Sequence, residues 1–272
     1  MLQQPLSAAE VESFVTSGFV RLDEAFPRSL AEECRAFLWQ QTGLDPHDPA
    51  GWTEPVIRLS GYGSRPFQQA ATTPRLHAAF DQLVGPGRWM ARTGLGTFPI
   101  RFPHPQDPGD TGWHMDGSYT PPGESGFWVN LRSRGRALLL LFLFSDIGPQ
   151  DGPTRIKAGS HLDVPAFLEP LGEDGIEGFA LCRRMDRAGR LDAPERPTAL
   201  ATGAAGDVYL CHPFLIHAAQ PNRGAGARFL AQPPLAPQEE DGMRLERSDG
   251  GYSPVERAVR LALFGGRRSD AG

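Results

Sequence analysis

From residue 97 to residue 232 the chain is a succession of short strand-forming runs cut by glycine, proline, aspartate and asparagine. The runs fall near 97–102, 112–116, 125–131, 136–144, 153–157, 207–211, 214–219 and 228–232. Many brief strands separated by turn signals fit a sandwich, a barrel or a jelly roll, because each segment is too short to bury its apolar face alone. Glycine and proline number 32 and 26. They show no period, which excludes a collagen-like chain and favours a fold with many turns.

Helices are expected around this region. Ser7 and Glu10 form a capping-box pattern that opens a helix to Ser17, stopped by Gly18. A short strand follows at Phe19–Leu22. Leu30, Cys34, Phe37 and Leu38 lie at helical spacing in 27–42. Thr73 and Pro74 start another helix, to about Val84. A short helix is read at 164–171. The arginine-rich stretch 183–205 reads as a surface loop and a mobile lid. Ser253 and Glu256 repeat the capping box before a last helix to about Phe264, and the tail beyond is expected to fray. The expectation is one domain over 1–272, with helical support in 1–96, the strand-rich core in 97–235, and a C-terminal helix and tail in 236–272.

The formal net charge of −5 argues against nucleic acid as a partner. The longest apolar run, Ala137–Phe144, falls far short of the ~20 residues a membrane span needs. With no secretory pattern at the start, a cytoplasmic location is expected. Cys34, Cys182 and Cys211 match neither a metal knuckle nor a disulfide framework and read as buried reduced thiols.

The informative histidine lies in Gly112-Trp-His114-Met-Asp116. On an extended backbone, residues two apart point to the same side, so His114 and Asp116 reach one point. His217 follows in a later run, and Arg228 comes eleven residues after it. A hairpin closing between them would set His217 and Arg228 opposite each other on one face. His212, at an odd offset from His217, would face the other way. His114, Asp116 and His217 then form a two-histidine, one-carboxylate set that leaves metal positions open, as in non-haem Fe(II) oxygenases. Arg228 would receive the far carboxylate of a keto-acid co-substrate such as 2-oxoglutarate. The competing reading makes His114 an ordinary strand residue, Asp116 a turn former and Arg228 a surface charge.

Four stretches in order carry a resemblance to the phytanoyl-CoA dioxygenase-like Fe(II)/2-oxoglutarate oxygenases, over about residues 10–235. They are Phe14-Val-Thr-Ser-Gly-Phe-Val, Gly112-Trp-His114-Met-Asp116, Asp151-Gly-Pro-Thr-Arg-Ile-Lys-Ala-Gly-Ser-His161, and Gly206-Asp-Val with His217, Pro-Asn-Arg and Arg228. Asp151 and Ala158 depart from the family's asparagine and proline. The resemblance implies a mainly β, double-stranded β-helix (jelly-roll, cupin-like) core with flanking helices. It implies His114, Asp116 and His217 as iron ligands and Arg228 as the anchor of 2-oxoglutarate. Family members often carry a hydroxyl two residues after the distal histidine. Ala219 stands there, so Thr154 or Thr111 is the expected substitute. Arg58, Arg101 and Trp128 are candidate lining residues, with a surface salt bridge the alternative for Arg58 and core packing for Trp128. Ser160 and His161 are expected to be structural.

The function so implied is a dioxygenase that hydroxylates an unactivated C–H of a small molecule. It would use Fe(II), 2-oxoglutarate and O2, with ascorbate as reductant in vitro, and release succinate and CO2. Bacterial specialised metabolism is the expected setting. The alternative is a metal-binding cupin-like protein, either an enzyme without 2-oxoglutarate or a non-catalytic scaffold. The prime substrate and the oligomeric state are not legible in the sequence.

Overall fold

The computed structural model describes residues 4–239 and 242–265. Helix α1 (Ala8–Ser17) leads into β1 (Phe19–Leu22), then α2 (Arg28–Thr42), β2 (Val56–Leu59), α3 (Arg65–Ala71), α4 (Pro74–Leu83) and β3 (Phe98–Arg101). Next come β4 (Trp128–Val129), β5 (Leu138–Leu143), β6 (Arg155–Lys157), α5 (Val164–Leu168), β7 (Ile176–Glu177) and α6 (Gly178–Arg187). The chain closes with β8 (Thr198–Leu200), β9 (Val208–Cys211), β10 (His217–Ala218), β11 (Leu230–Ala231), β12 (Pro234–Leu235) and α7 (Pro254–Phe264).

Two antiparallel sheets form a jelly roll with helices packed outside. The larger runs β1-β9-β5-β11, with β12 also paired to β5. The smaller runs β10-β6-β8. Strand β5 shows why its sequence is apolar at every position. Leu138, Leu140 and Phe142 enter the large core shared with the helices. Leu139, Leu141 and Leu143 enter a second cluster that also holds Ile156 of β6 and Ala201 just after β8. A strand covered on both faces has no solvent side to mark with polar residues. The large core gathers residues from Leu6 to Val259.

Both capping boxes are present, Ser7 with Glu10 and Ser253 with Glu256. Helix α7 packs on α1, where Arg257 pairs with Glu12 at 2.7 Å. The three cysteines are buried and unpaired. His161 Nε2 meets the Val15 carbonyl at 3.0 Å, and Ser160 Oγ accepts from the Ile216 N–H at 2.9 Å, so this pair ties β10's approach to α1. The expected fraying of the tail lies outside the described residues. Among those residues, no helix is long and apolar enough to cross a membrane.

Three expectations need correction. Segment 183–205 is not a free loop. Helix α6, which buries Leu181, Cys182 and Met185, runs into it as far as Arg187, and β8 takes Thr198–Leu200. Arg196 ties the stretch between them to Asp163 with two bonds, at 2.7 and 2.9 Å. The run 112–116 is not a strand but a single bridge from His114 to His217. His217 and Arg228 do not pair across a hairpin. Residues 219–227 cross between the sheets, leaving His217 on β10 and Arg228 two residues before β11, where it bridges Arg101. The strand expected at Phe19–Leu22 is present as β1 and forms one edge of the larger sheet.

Candidate functional site

His114 and His217 exchange both backbone hydrogen bonds, each at 2.9 Å. That fixes the extended geometry around His114 although no regular strand forms there. Asp116, two residues on, points the same way: its Oδ1 lies 3.9 Å from His114 Nε2 and 3.8 Å from His217 Nε2. The Nδ1 atoms are engaged by carbonyls, His114 with Gly112 at 2.9 Å and His217 with Leu215 at 3.1 Å. Both rings therefore turn Nε2 towards the carboxylate. His217 Nε2 is buried and has no hydrogen-bond partner. Ligand atoms from the three residues all lie within 4.8 Å of one another. Two imidazole nitrogens and one carboxylate suit a first-row divalent ion, and an orphaned buried nitrogen is the mark of a position meant for one.

The backbone around Asp116 is packed too closely for larger residues. A Cβ on Gly117 would lie 2.3 Å from the Phe127 carbonyl carbon, and one on Gly178 would lie 2.6 Å from the Met115 oxygen. The start of α6 and the segment before β4 thus press directly on the ligand loop.

Burial drives the Asp116 carboxyl upward, but Arg136, His217 and His114 together hold it below the usual carboxylate range. Burial and the neighbouring His114 push His217 down to about 4, so its ring is neutral at physiological pH, the form able to bind a metal. Arg136 went unnoticed in the sequence, since nothing in its spacing from Asp116 marks it. It is buried, its Nη2 donates to the Gly117 carbonyl, and its Nη1 lies near Asp116.

Two cavities open onto the triad. The larger, about 1110 Å³, includes Asp116, Arg136, Arg92 and the exposed side chains of Met90, Phe127 and Phe179. Phe179, missed with α6, lies with its ring 5.8 Å from that of His114. The smaller, about 500 Å³, includes Arg58, Arg101, Asp110, Pro99 and Ala219. His114, Phe179, Thr97 and Gln232 belong to both.

Arg58 and Arg101 both line the smaller cavity, joined through Asp110 Oδ2 at 2.5 and 2.6 Å, and Arg58 makes this salt bridge from an exposed position. Burial raises the Asp110 carboxyl, yet Arg101 and Arg58 bring it below its usual range. Arg228 is buried rather than a surface charge, but it lines neither cavity. Its Nη1 donates to the Gly152 carbonyl at 2.9 Å and its Nη2 to the Pro99 carbonyl at 2.7 Å. Burial, then the nearby Arg101 charge, lowers it to about 9. Thr154 and Thr111 line neither cavity. Thr154 is buried with its carbonyl bonded to the Ala201 N–H, and the Thr111 carbonyl accepts from Arg155. Trp128 also stays out of both cavities and out of the core. It sits in β4 opposite Glu177, its indole N–H donating to the Ser125 carbonyl. His212 faces away as expected, its Nε2 beside the Val255 carbonyl.

The sequence profile of a family described as Phytanoyl-CoA dioxygenase (PhyH) matches residues 52–230, more than half of the chain. No curated protein gives a significant sequence match. Among solved structures, HygX from Streptomyces hygroscopicus with nickel and 2-oxoglutarate bound superposes with a TM-score of 0.54 at 20% identity, covering 84% of this chain and 85% of that one. The non-heme alpha ketoglutarate dependent carbocyclase SnoK from nogalamycin biosynthesis gives 0.53 at 20% identity, covering 85% and 84%. EctD from S. alaskensis with 2-oxoglutarate and 5-hydroxyectoine gives 0.51 at 19% identity, covering 87% and 77%. At these identities the likeness is one of fold.

Proposed function

This chain belongs to the phytanoyl-CoA dioxygenase family of Fe(II)/2-oxoglutarate-dependent oxygenases, and we propose that it works as a single domain hydroxylating an unactivated C–H of a small molecule. His114, Asp116 and His217 hold the iron. The observation that carries this assignment is the buried, unpartnered Nε2 of His217 turned to the same point as His114 and Asp116. Bound iron and 2-oxoglutarate together supply the oxidation, with O2 consumed and succinate and CO2 released. The chain's own residues bind, orient and shield. Arg136 keeps the Asp116 carboxylate ionised and aimed. Phe179 covers one side of His114 and limits water there. Arg228 contributes buried positive charge beside the smaller cavity, which has the character to hold the co-substrate.

The larger cavity is the place for the prime substrate. Its exposed Met90, Phe127 and Phe179 favour a molecule with a sizeable apolar body, since such side chains are otherwise kept from water. EctD from S. alaskensis with 5-hydroxyectoine, and HygX with hygromycin B, are consistent with small-molecule substrates on this fold.

The test is aerobic conversion of 2-oxoglutarate to succinate by the purified protein with Fe(II) and ascorbate. Succinate from wild type, absent in His217→Ala and Asp116→Ala, is the expected result. No succinate, with no binding of divalent metal or 2-oxoglutarate by calorimetry, overturns the reading in favour of a scaffold. Metal binding without 2-oxoglutarate binding points instead to a metalloenzyme of another kind.

A further inference from the structure

The wall of the larger cavity holds a positive charge that its acids do not answer. Two arginines, Arg92 and Arg136, and two acids, Asp116 and Glu177, line it. Asp116 serves the metal site, where its Oδ1 faces both histidines. Glu177 is engaged at the start of α6, its carboxylate accepting from the Phe179 and Ala180 N–H groups at 2.9 and 2.7 Å. Arg136 stands beside Asp116, so nothing acidic in the wall is left for Arg92.

Arg92 is half-buried, and among the described residues it forms no ion pair. Its Nε donates to the Gly94 carbonyl at 3.1 Å and its Nη1 to the Pro234 carbonyl. These bonds hold the guanidinium in place between the stretch before β3 and the start of β12, and among the described residues Nη2 has no hydrogen-bond partner. Burial, and after it the Arg136 charge, lower the Arg92 guanidinium from its ordinary value, so the two cations stand near enough to feel each other. Arg136 is buried, and its Nε and Nη1 have no hydrogen-bond partner, although Nη1 lies 3.4 Å from Asp116 Oδ2. Two neighbouring guanidiniums with unused N–H groups in one cavity wall suit an anionic group that enters from outside. Met90, Phe127 and Phe179, in the same cavity, suit an apolar body attached to it.

Resting on the oxygenase reading above, we propose that the prime substrate is an organic acid, an apolar body bearing one acid group, and that Arg92 receives that group with Arg136 adding a second positive charge beside it. Arg92 is then the residue that separates acids from neutral molecules of the same shape. The aromatic mouth accepts both, and the guanidinium pair favours one.

The test uses two dyes with one aromatic body. 1-Anilinonaphthalene-8-sulfonate carries a single acid group, and N-phenyl-1-naphthylamine is the same molecule without it. Fluorescence titrations are run on the full chain with Zn(II), which does not support the oxidation, and with excess 2-oxoglutarate, which keeps the sulfonate out of the smaller cavity. Wild type is expected to bind the sulfonate about tenfold more tightly than the neutral dye, the scale of one charge-assisted hydrogen bond. Arg92→Gln should abolish that preference by weakening the sulfonate alone. Arg92→Lys keeps the charge and should recover part of it. Phe127→Ser should weaken both dyes, which places them in this cavity. Equal affinity of the two dyes for wild type, or no binding of either, overturns the proposal. So does a preference that survives Arg92→Gln, an equal loss of both dyes in that variant, or dye binding indifferent to Phe127→Ser. Calorimetry with metal and 2-oxoglutarate tells the two failures apart. A chain that binds neither loses the oxygenase reading whatever the dyes do, and one that binds both without an Arg92-dependent preference loses this inference alone.

Discussion

Arg136 Nη1 lies 3.4 Å from Asp116 Oδ2, nearer to that carboxylate than either imidazole nitrogen. The contact lies inside the protein, with Arg136 only 8% exposed. A buried cation beside a ligand carboxylate both orients it and keeps it ionised. Replacing Arg136 with Gln removes the charge and keeps a donor for the Gly117 carbonyl. Affinity for a divalent ion should then weaken about tenfold, as for other residues that support a metal ligand from behind. Calorimetric titration with Fe(II) or Mn(II) measures it.

Gly117→Ala should act on the same carboxylate by a different route. The new methyl would meet the Phe127 backbone at 2.3 Å, a contact that has to be relieved by moving main chain. We expect a loss of about 1–3 kcal/mol in unfolding free energy, typical of overpacking, together with weaker metal binding. Urea denaturation and metal titration report the two effects separately.

Exposed rim residues should show the opposite pattern. Phe127 is 70% exposed and Phe179 56% exposed, so serine in place of either removes little packing. Stability should stay within about 0.5 kcal/mol of wild type. The KM for the prime substrate should rise several-fold, because these rings form the mouth of the larger cavity. Steady-state kinetics on any substrate found by screening would show it.

Acid stability should depend on His161. Burial pushes its imidazole down to about 4 in the folded chain, from an ordinary value of 6.5. A group whose folded value is depressed contributes its full stabilisation above about pH 6.5 and loses it as the pH falls towards 4. The total is about 3 kcal/mol. His161→Gln keeps a donor for the Val15 carbonyl but cannot take up a proton, so its denaturation midpoint should fall less than wild type's between pH 7 and pH 4.5. An equal fall in both proteins would show that another group governs the acid limb.

Leu140→Ala should cost about 2–5 kcal/mol, since Leu140 is fully buried in the large core on the central strand. The denaturant midpoint would report it.

What could be read from the residues was local. Ser7 with Glu10 and Ser253 with Glu256 are capping patterns complete within one turn, and both helices start where the patterns place them. His114 and Asp116 converge because a two-residue step on extended backbone is enough, even without a regular strand. The metal cluster therefore needed only one long-range guess, the choice of His217 over His212. Where the reading failed, a distant partner decides the geometry. The turn-rich stretch 219–227 looks like a hairpin by its residues. It is drawn across to the other sheet, where Asn222 bonds the Arg101 carbonyl at 3.1 Å. Helix α6 did leave a signal, in Leu181, Cys182 and Met185 on one face, but its start on Glu177 and Gly178 is a cap that the usual patterns do not include. Arg136 left none, because its closeness to Asp116 is a product of β5 and the ligand loop meeting in space.

The crossing at 219–227 has a mechanical consequence. It puts the distal histidine on one sheet and the buried arginine pair beside the other, so a molecule gripped at both ends is a cross-brace between the two halves of the sandwich. Loading the site should stiffen the framework as a whole, and emptying it should let the sheets breathe apart. Amide exchange along β8, the strand of that sheet farthest from His217, would then serve as a gauge of occupancy.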